Sequence, residues 1–297
     1  MVIEVKHLTK SFNGHPALSD VSFKVDQSDI FGFLGPNGAG KTTTIRSLLQ
    51  LIYADSGEIR IFDNLIKKNE TNHRNRIGYL PGDFKPPSEM KADYFLNYVS
   101  GFRDKNPELR DSLINQLKLT SSDLGKKFKY LSHGTRQKVG LVSSMEHNPD
   151  LVILDEPTLG LDPLIQEAFY EILLDFRKRD KTVFLSSHIL SEIEKVCDQV
   201  AIIRNGKIIV VQSLEALKKK QLRRLKIIFD KEYGNNPPEL PGTKFHKFQN
   251  GKYQYFTELN AQNLIRELGK WPVKNFEFPE PELEDIFMAF YEDKTDD

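Results

Sequence analysis

The stretch IFGFLGPNGAGKTTTIRSLL, residues 30–49, decides the fold. It opens on an apolar run suited to a buried strand and closes on a helical pattern. Between them GPNGAGKT, Gly35 to Thr42, meets every fixed position of G-x-x-x-x-G-K-[ST]. The chemistry requires that order. Glycines let backbone N–H groups curl round a phosphate without Cβ clashes, and the helix N-terminus adds the positive end of its dipole. Gly35, Pro36, Asn37, Gly38, Ala39 and Gly40 are the expected cradle, with Thr43 beside it on the helix. Lys41 is expected to reach the β- and γ-phosphates and the Thr42 hydroxyl to ligate Mg²⁺. The bland alternative is a glycine-rich turn with no ligand.

Downstream, LVILDEP (Leu151 to Pro157) reads as a second buried strand that delivers two acids at its C-terminal end. Ligands of open α/β sheets bind at that end. Asp155 is therefore placed to hold Mg²⁺ through water, and Glu156 to orient or deprotonate an attacking water. Paired acids at a strand end are often only a solvated turn. Beside the phosphate cradle the functional reading prevails.

Working outward, further strands are expected at 21–25, 58–62, 182–186, 199–203 and 207–211, and helices starting near Gly134, Pro163 and Ile189. The strand signal fades between residues 85 and 148, where a mostly helical subdomain is expected. This is an α/β pattern with a largely parallel core. Near Ala216 the texture changes. LKKKQLRRLK carries six basic residues from Lys218 to Lys226, and turn-rich NNPPELPG follows. Residues 1–220 are thus expected to form one domain and 221–297 a small α+β domain. In the latter, short strands should lie at 226–229, 244–248, 253–256 and 273–278, with helices at 261–268 and 282–291.

Composition removes other classes. The 297 residues are 39% hydrophobic and 28% charged, so a sizeable core is available. Forty-two basic residues balance forty-two acidic ones, which argues against a dedicated nucleic-acid binder. The single cysteine, Cys197, permits no internal disulfide and no cysteine-based zinc site. No run approaches the roughly 20 apolar residues of a spanning helix, and MVIEVKHLTK has no signal-peptide core.

Three more segments resemble one family. LSHGTRQKV, Leu131 to Val139, resembles the LSGGQ signature of ABC ATPases; TLGLD, Thr158 to Asp162, resembles their D-loop; and SSHIL places His188 where the family has its switch histidine. With the cradle and acid pair, the chain resembles the nucleotide-binding subunit of an ABC transporter. That resemblance implies a P-loop cassette with a mixed sheet and a helical signature subdomain. It implies ATP and Mg²⁺ as ligands, hydrolysis of ATP to ADP and phosphate, and a homodimer that sandwiches each nucleotide. In that arrangement Ser132 and Gly134 face the γ-phosphate on the opposite subunit, His188 holds the γ-phosphate of its own, and Asp162 links the two sites. Phe12 sits where the family stacks an aromatic on adenine. The resemblance also implies a separate integral membrane permease and a place on the cytoplasmic face of the membrane, with residues 82–100 as the docking segment.

The sequence departs from that family at His133 and Thr135 within the signature, and at Gly82 in IGYLPGDF, where a metal-ligating glutamine is usual. Asp83 is the candidate substitute ligand. These variants, and the C-terminal PELEDIFMAFY, resemble the ATPases of ABC-2 type exporters. The competing class is a soluble ABC ATPase acting on ribosomes or DNA, or a regulatory ATP-binding module. The soluble ATPases usually carry two cassettes or long coiled-coil insertions, and this chain has one cradle and neutral charge.

Overall fold

The computed structural model describes residues 1–67, 72–103, 106–219, 223–234 and 236–279. They fall into two compact units, Met1–Gln212 and Ser213–Asp297. In the first, β1 (Ile3–Phe12) and β2 (His15–Val25) form a hairpin, and β3 (Ile30–Leu34) leads through the glycine-rich loop into α1 (Lys41–Leu48). Then come β4 (Ser56–Ile61), β5 (Asn64–Leu65) and β6 (Ile77–Leu80). The helical stretch holds α2 (Ala92–Ser100), α3 (Arg110–Gln116), α4 (Ser121–Gly125) and α5 (His133–Met145). The chain returns through β7 (Leu151–Asp155), α6 (Pro163–Lys178), β8 (Thr182–Ser187), α7 (Leu190–Val196), β9 (Gln199–Arg204) and β10 (Lys207–Ser213).

Two sheets result. One runs β10-β9-β3-β8-β7-β6, in which the pairs β9/β3, β3/β8, β8/β7 and β7/β6 are parallel; the other, β2-β1-β4-β5, is antiparallel. All five residues of β3 and of β7 are buried, as strands covered on both faces must be. Phe23 of β2 meets Phe31, Phe33 and Phe184 of the parallel sheet with ring centroids 5.4–5.9 Å apart, which ties the two sheets into one core. The parallel arrangement brings the C-terminal ends of β3, β7 and β8 side by side: Leu34 pairs with Ser187, and Asp155 with Ser186. Lys41, Thr42, Asp155, Glu156 and His188 lie at that edge or in the segments that leave it.

β1 departs from the sequence expectation, which had no strand there. Its Glu4 is buried to 6% exposure yet sits in a strand, because Lys6, Lys24 and Arg60 surround the carboxylate at 3.2, 3.3 and 3.7 Å.

The second unit carries α8 (Leu214–Lys219), β11 (Arg223–Phe229), β12 (Thr243–Gln249), β13 (Lys252–Thr257), α9 (Ala261–Leu268) and β14 (Val273–Glu277). Its antiparallel sheet runs β12-β13-β11-β14 over a core that includes Leu225, Ile227, Tyr253, Tyr255, Leu264 and Leu268. The unit boundary falls before α8 and not at 220/221. The chain leaves the sheet at Ser213, whose hydroxyl accepts from Ala216 N at 3.1 Å, whereas the change in composition comes a helix later. The helix expected at 282–291 lies outside the described residues. No described helix is long and apolar enough to cross a membrane.

Candidate functional site

The cradle begins where β3 runs out. Gly40 has φ +111°, a conformation L side chains rarely adopt, and a Cβ there would lie 2.8 Å from Leu18 Cδ2 and 2.9 Å from Ala17 O. Glycine is thus required both to turn the chain into α1 and to let β2 approach. A cavity of about 180 Å³ opens over the loop, walled by Ala17, Asn37, Lys41, Thr42, Thr43 and Glu156 among others. The Lys41 ammonium is buried and donates to Gly35 O at 2.6 Å and Pro36 O at 3.2 Å. It also lies 3.1 Å from Glu156 Oε1.

The two acids part company at the end of β7. Asp155, 1% exposed, accepts from Thr42 Oγ1 at 2.8 Å on one oxygen and from Ser186 Oγ on the other. Glu156 has φ +50°, unusual for a residue with a side chain, and such strain concentrates at functional sites. Its N–H donates to Ser186 O at 3.1 Å, and its Oε2 lies 2.7 Å from His188 Nδ1. Contacts thus join Lys41, Glu156 and His188 in one set and Thr42 with Asp155 in another, and the two sets are neighbours along the chain at 41–42 and 155–156.

The arrangement fits a magnesium nucleotide. Mg²⁺ is usually held by one or two carboxylates together with phosphates and water, not by a full protein cage. Thr42 Oγ1 and Asp155 Oδ2 form such a partial set of hard oxygen donors.

Other expected residues lie apart from this cluster. Ser132 is the N-cap of α5 and accepts from Thr135 N at 3.1 Å. Asp162 is the N-cap of α6 and accepts from Ile165 N at 3.1 Å. Gly134 has a reason within its own chain: a Cβ there would lie 2.4 Å from Gly160 O, so α5 and the turn after β7 touch backbone to backbone. Phe12, at the end of β1, is half exposed, with Lys10 Nζ 5.4 Å from its ring centroid. Gly82 abuts the cluster, since a Cβ would stand 3.3 Å from the Asp155 carboxylate. Asp83 is engaged elsewhere: its carboxylate is exposed and pairs with Lys85. Two residues apart on an exposed loop, the opposite charges meet more easily than Asp83 could fold back to Thr42.

Sequence reasoning missed two features. Glu192 of α7 is 5% exposed and accepts from Thr158 Oγ1 and Ser187 Oγ, each at 2.6 Å. A lone glutamate on a helix carries no signal that separates it from a solvated one. A second cavity, about 280 Å³ and largely apolar, is lined by Leu49, Leu51, Ile77, Tyr79, Val99 and Phe102, together with Arg74, Asn75 and Arg103. Burial and the Asp155 charge push the Tyr79 phenol up to about 12.

Comparison with known proteins now bears on these groups. Residues 18–159 match a family model described as ABC transporter. Over 300 aligned positions the chain is 35% identical to the bacitracin transport ATP-binding protein BcrA of Bacillus licheniformis, covering 97% of this chain and 96% of that one. The chain belongs to the ABC transporter ATP-binding proteins. A second relative, ABC transporter ATP-binding protein YhcH of Bacillus subtilis, is 38% identical over 219 residues, 72% of this chain and 70% of its own. Among solved structures, an ATP-binding subunit of an ABC transporter superposes with a TM-score of 0.68 at 30% identity, covering 74% of this chain and 92% of that chain. The dimeric cassette MJ0796 shares the fold, with a TM-score of 0.66 at 20% identity over 71% of this chain and 98% of its own. The family match of this ABC ATP-binding subunit spans the cradle, the signature segment and both acids, and the BcrA alignment extends into the second unit.

Proposed function

We propose that this subunit hydrolyses ATP to drive a separate membrane protein, as the energy source of an ABC-2 type exporter. It works as a homodimer at the cytoplasmic face of the membrane. The observation that carries this reading is the convergence of Lys41, Thr42, Asp155, Glu156 and His188 at the ends of β3, β7 and β8. Phosphoryl transfer needs positioning and charge stabilisation more than covalent help, and these five groups supply both.

Lys41 exchanges Gly35 O and Pro36 O for the β- and γ-phosphate oxygens. Thr42 and Asp155 would hold Mg²⁺, which would supply charge neutralisation at the phosphates. Glu156 receives the hydrogen bond, or the proton, of the attacking water. His188 is tied to Glu156 through Nδ1, which leaves Nε2 for the γ-phosphate. Asp83, engaged with Lys85, has no part in this set. Phe12 offers an exposed ring for adenine, and Ser132, Gly134 and Asp162 act across the dimer interface.

The exporter assignment is supported by the near-complete alignment with BcrA, a bacitracin transport protein, and by the sequence features that resemble that branch. The 280 Å³ apolar cavity is the docking place for the membrane partner, flanked by the exposed rings of Tyr98 and Phe102. It shares only Val99 with the segment 82–100 expected from sequence. The test is recovery from gently solubilised native membranes with a non-hydrolysable ATP analogue present. A multi-span protein at near-equal stoichiometry is expected. Recovery alone, or with ribosomes, after cross-linking as well, overturns the transporter reading.

A further inference from the structure

Glu192 has no place in the mechanism above, yet its carboxylate is buried beside the site. It sits on the first turn of α7 at 5% exposure, and among the described residues no cation pairs with it. An unpaired carboxylate is expensive to take out of water unless hydrogen bonds satisfy it. Two hydroxyls do so, Thr158 Oγ1 and Ser187 Oγ, each donating at 2.6 Å. An apolar side chain of similar length would fill the space at lower cost. Accepting from both hydroxyls at once is what the carboxylate adds.

Those hydroxyls belong to different segments. Thr158 lies two residues beyond Glu156, in the turn that follows β7. Ser187 ends β8 and precedes His188; its Oγ also accepts from Ile189 N at 2.9 Å. Glu156 Oε2 and His188 Nδ1 meet at 2.7 Å, so the contacts close a ring: Glu156, along the chain to Thr158, across Glu192 to Ser187, along the chain to His188 and back. The same turn continues to Gly160, whose carbonyl lies against Gly134 of α5.

We propose that Glu192 is a positioning residue for hydrolysis: by bridging Thr158 and Ser187 it clasps the turn after β7 to the His188 segment and holds Glu156 and His188 in register. The proposal rests on the hydrolytic reading given above. Both carboxylate oxygens are taken up by the Thr158 and Ser187 hydroxyls. Glu192 acts by removing the freedom of two loops whose ends must meet to a fraction of an ångström, and small misplacements of reacting groups are costly.

The test is steady-state phosphate release by the full chain, with melting temperatures recorded alongside. Thr158→Val removes one donor with little change of shape. It is expected to lower kcat about ten- to hundred-fold, the worth of one hydrogen bond to a buried charge, while KM for ATP stays within about two-fold. Thr158→Ser restores the hydroxyl and is expected to recover kcat. Ser187→Ala breaks the clasp from the other side and matches Thr158→Val. The double variant is no slower than the slower single, because one clasp is broken only once. Wild-type kcat in Thr158→Val, failure of Thr158→Ser to recover, or a rise in KM that accounts for the loss would overturn the proposal. If Thr158→Val does not fold, the same criteria apply to Ser187→Ala. A wild-type chain that binds MgATP but releases no phosphate overturns the hydrolytic reading instead, and the clasp with it.

Discussion

Gly134→Ala separates two reasons for a glycine in the signature segment. In the family picture that glycine lets backbone approach a phosphate on another subunit. The structure adds a constraint inside one chain, because a Cβ would stand 2.4 Å from Gly160 O. A carbon–oxygen contact of about 3.3 Å is normal, so the turn must retreat by close to 1 Å. No flexible side chain can absorb that shift, since the obstructing atom is backbone. Overpacking of this kind costs roughly 1–3 kcal/mol, and alanine in a helical position returns about 0.5–1 kcal/mol of propensity. A net loss of about 1–2 kcal/mol lowers the melting temperature of a unit this size by roughly 2–8 °C. Differential scanning calorimetry on the nucleotide-free chain measures it without any dimer. Gly125→Ala is the control, because a Cβ there meets nothing within 4 Å. Gly134→Ala melting with the wild type would refute the backbone contact and leave only the phosphate explanation.

Three further outcomes follow from named contacts. Lys41→Ala should weaken MgATP binding about ten- to hundred-fold in equilibrium titration, and undiminished affinity would remove Lys41 from the phosphates. Arg110→Met strands the fully buried Glu146, whose carboxylate Arg110 Nε meets at 2.6 Å; a loss of about 3–5 kcal/mol is expected in urea unfolding, largely recovered by adding Glu146→Gln. At Asp150 burial pushes the carboxyl pKa up, but Lys181 and Arg76 outweigh it and hold it below its ordinary 3.8. A depressed carboxyl stabilises the fold above its unfolded pKa and loses that effect as pH falls through the folded one. The melting deficit of Asp150→Asn should therefore be complete at pH 7 and close as the pH drops below about 3.8; a deficit that persists in acid would contradict the ion pairs.

What was legible in the sequence has a physical pattern. The β3–cradle–α1 unit and the acids of β7 stood out because phosphate chemistry dictates both residue type and spacing there. β1 carries the alternation of Ile3 and Val5 with Glu4 and Lys6; what was hidden is that Glu4 is buried, which Lys24 of β2 and Arg60 of β4 make possible together with Lys6. Glu192 was hidden for the same reason: its partners lie 34 and 5 residues away, and neither distance is a motif. The left-handed backbone of Glu156 has no sequence signal either, since glycine, the usual marker, is absent. The apolar cavity had no local signal in the sequence. Exposed aromatics of α2 were visible, but the cavity beside them is completed by Leu49, Leu51 and Ile77 from distant segments.

Glu156, held between Lys41 and His188, is the group proposed to activate water. Glu156→Gln keeps the shape and removes the base. Phosphate release and MgATP binding should be measured on the same preparation of this variant and of the wild type. The account predicts wild-type affinity with turnover reduced at least about a hundred-fold, within the usual worth of a general base. Undiminished phosphate release with affinity intact would contradict it.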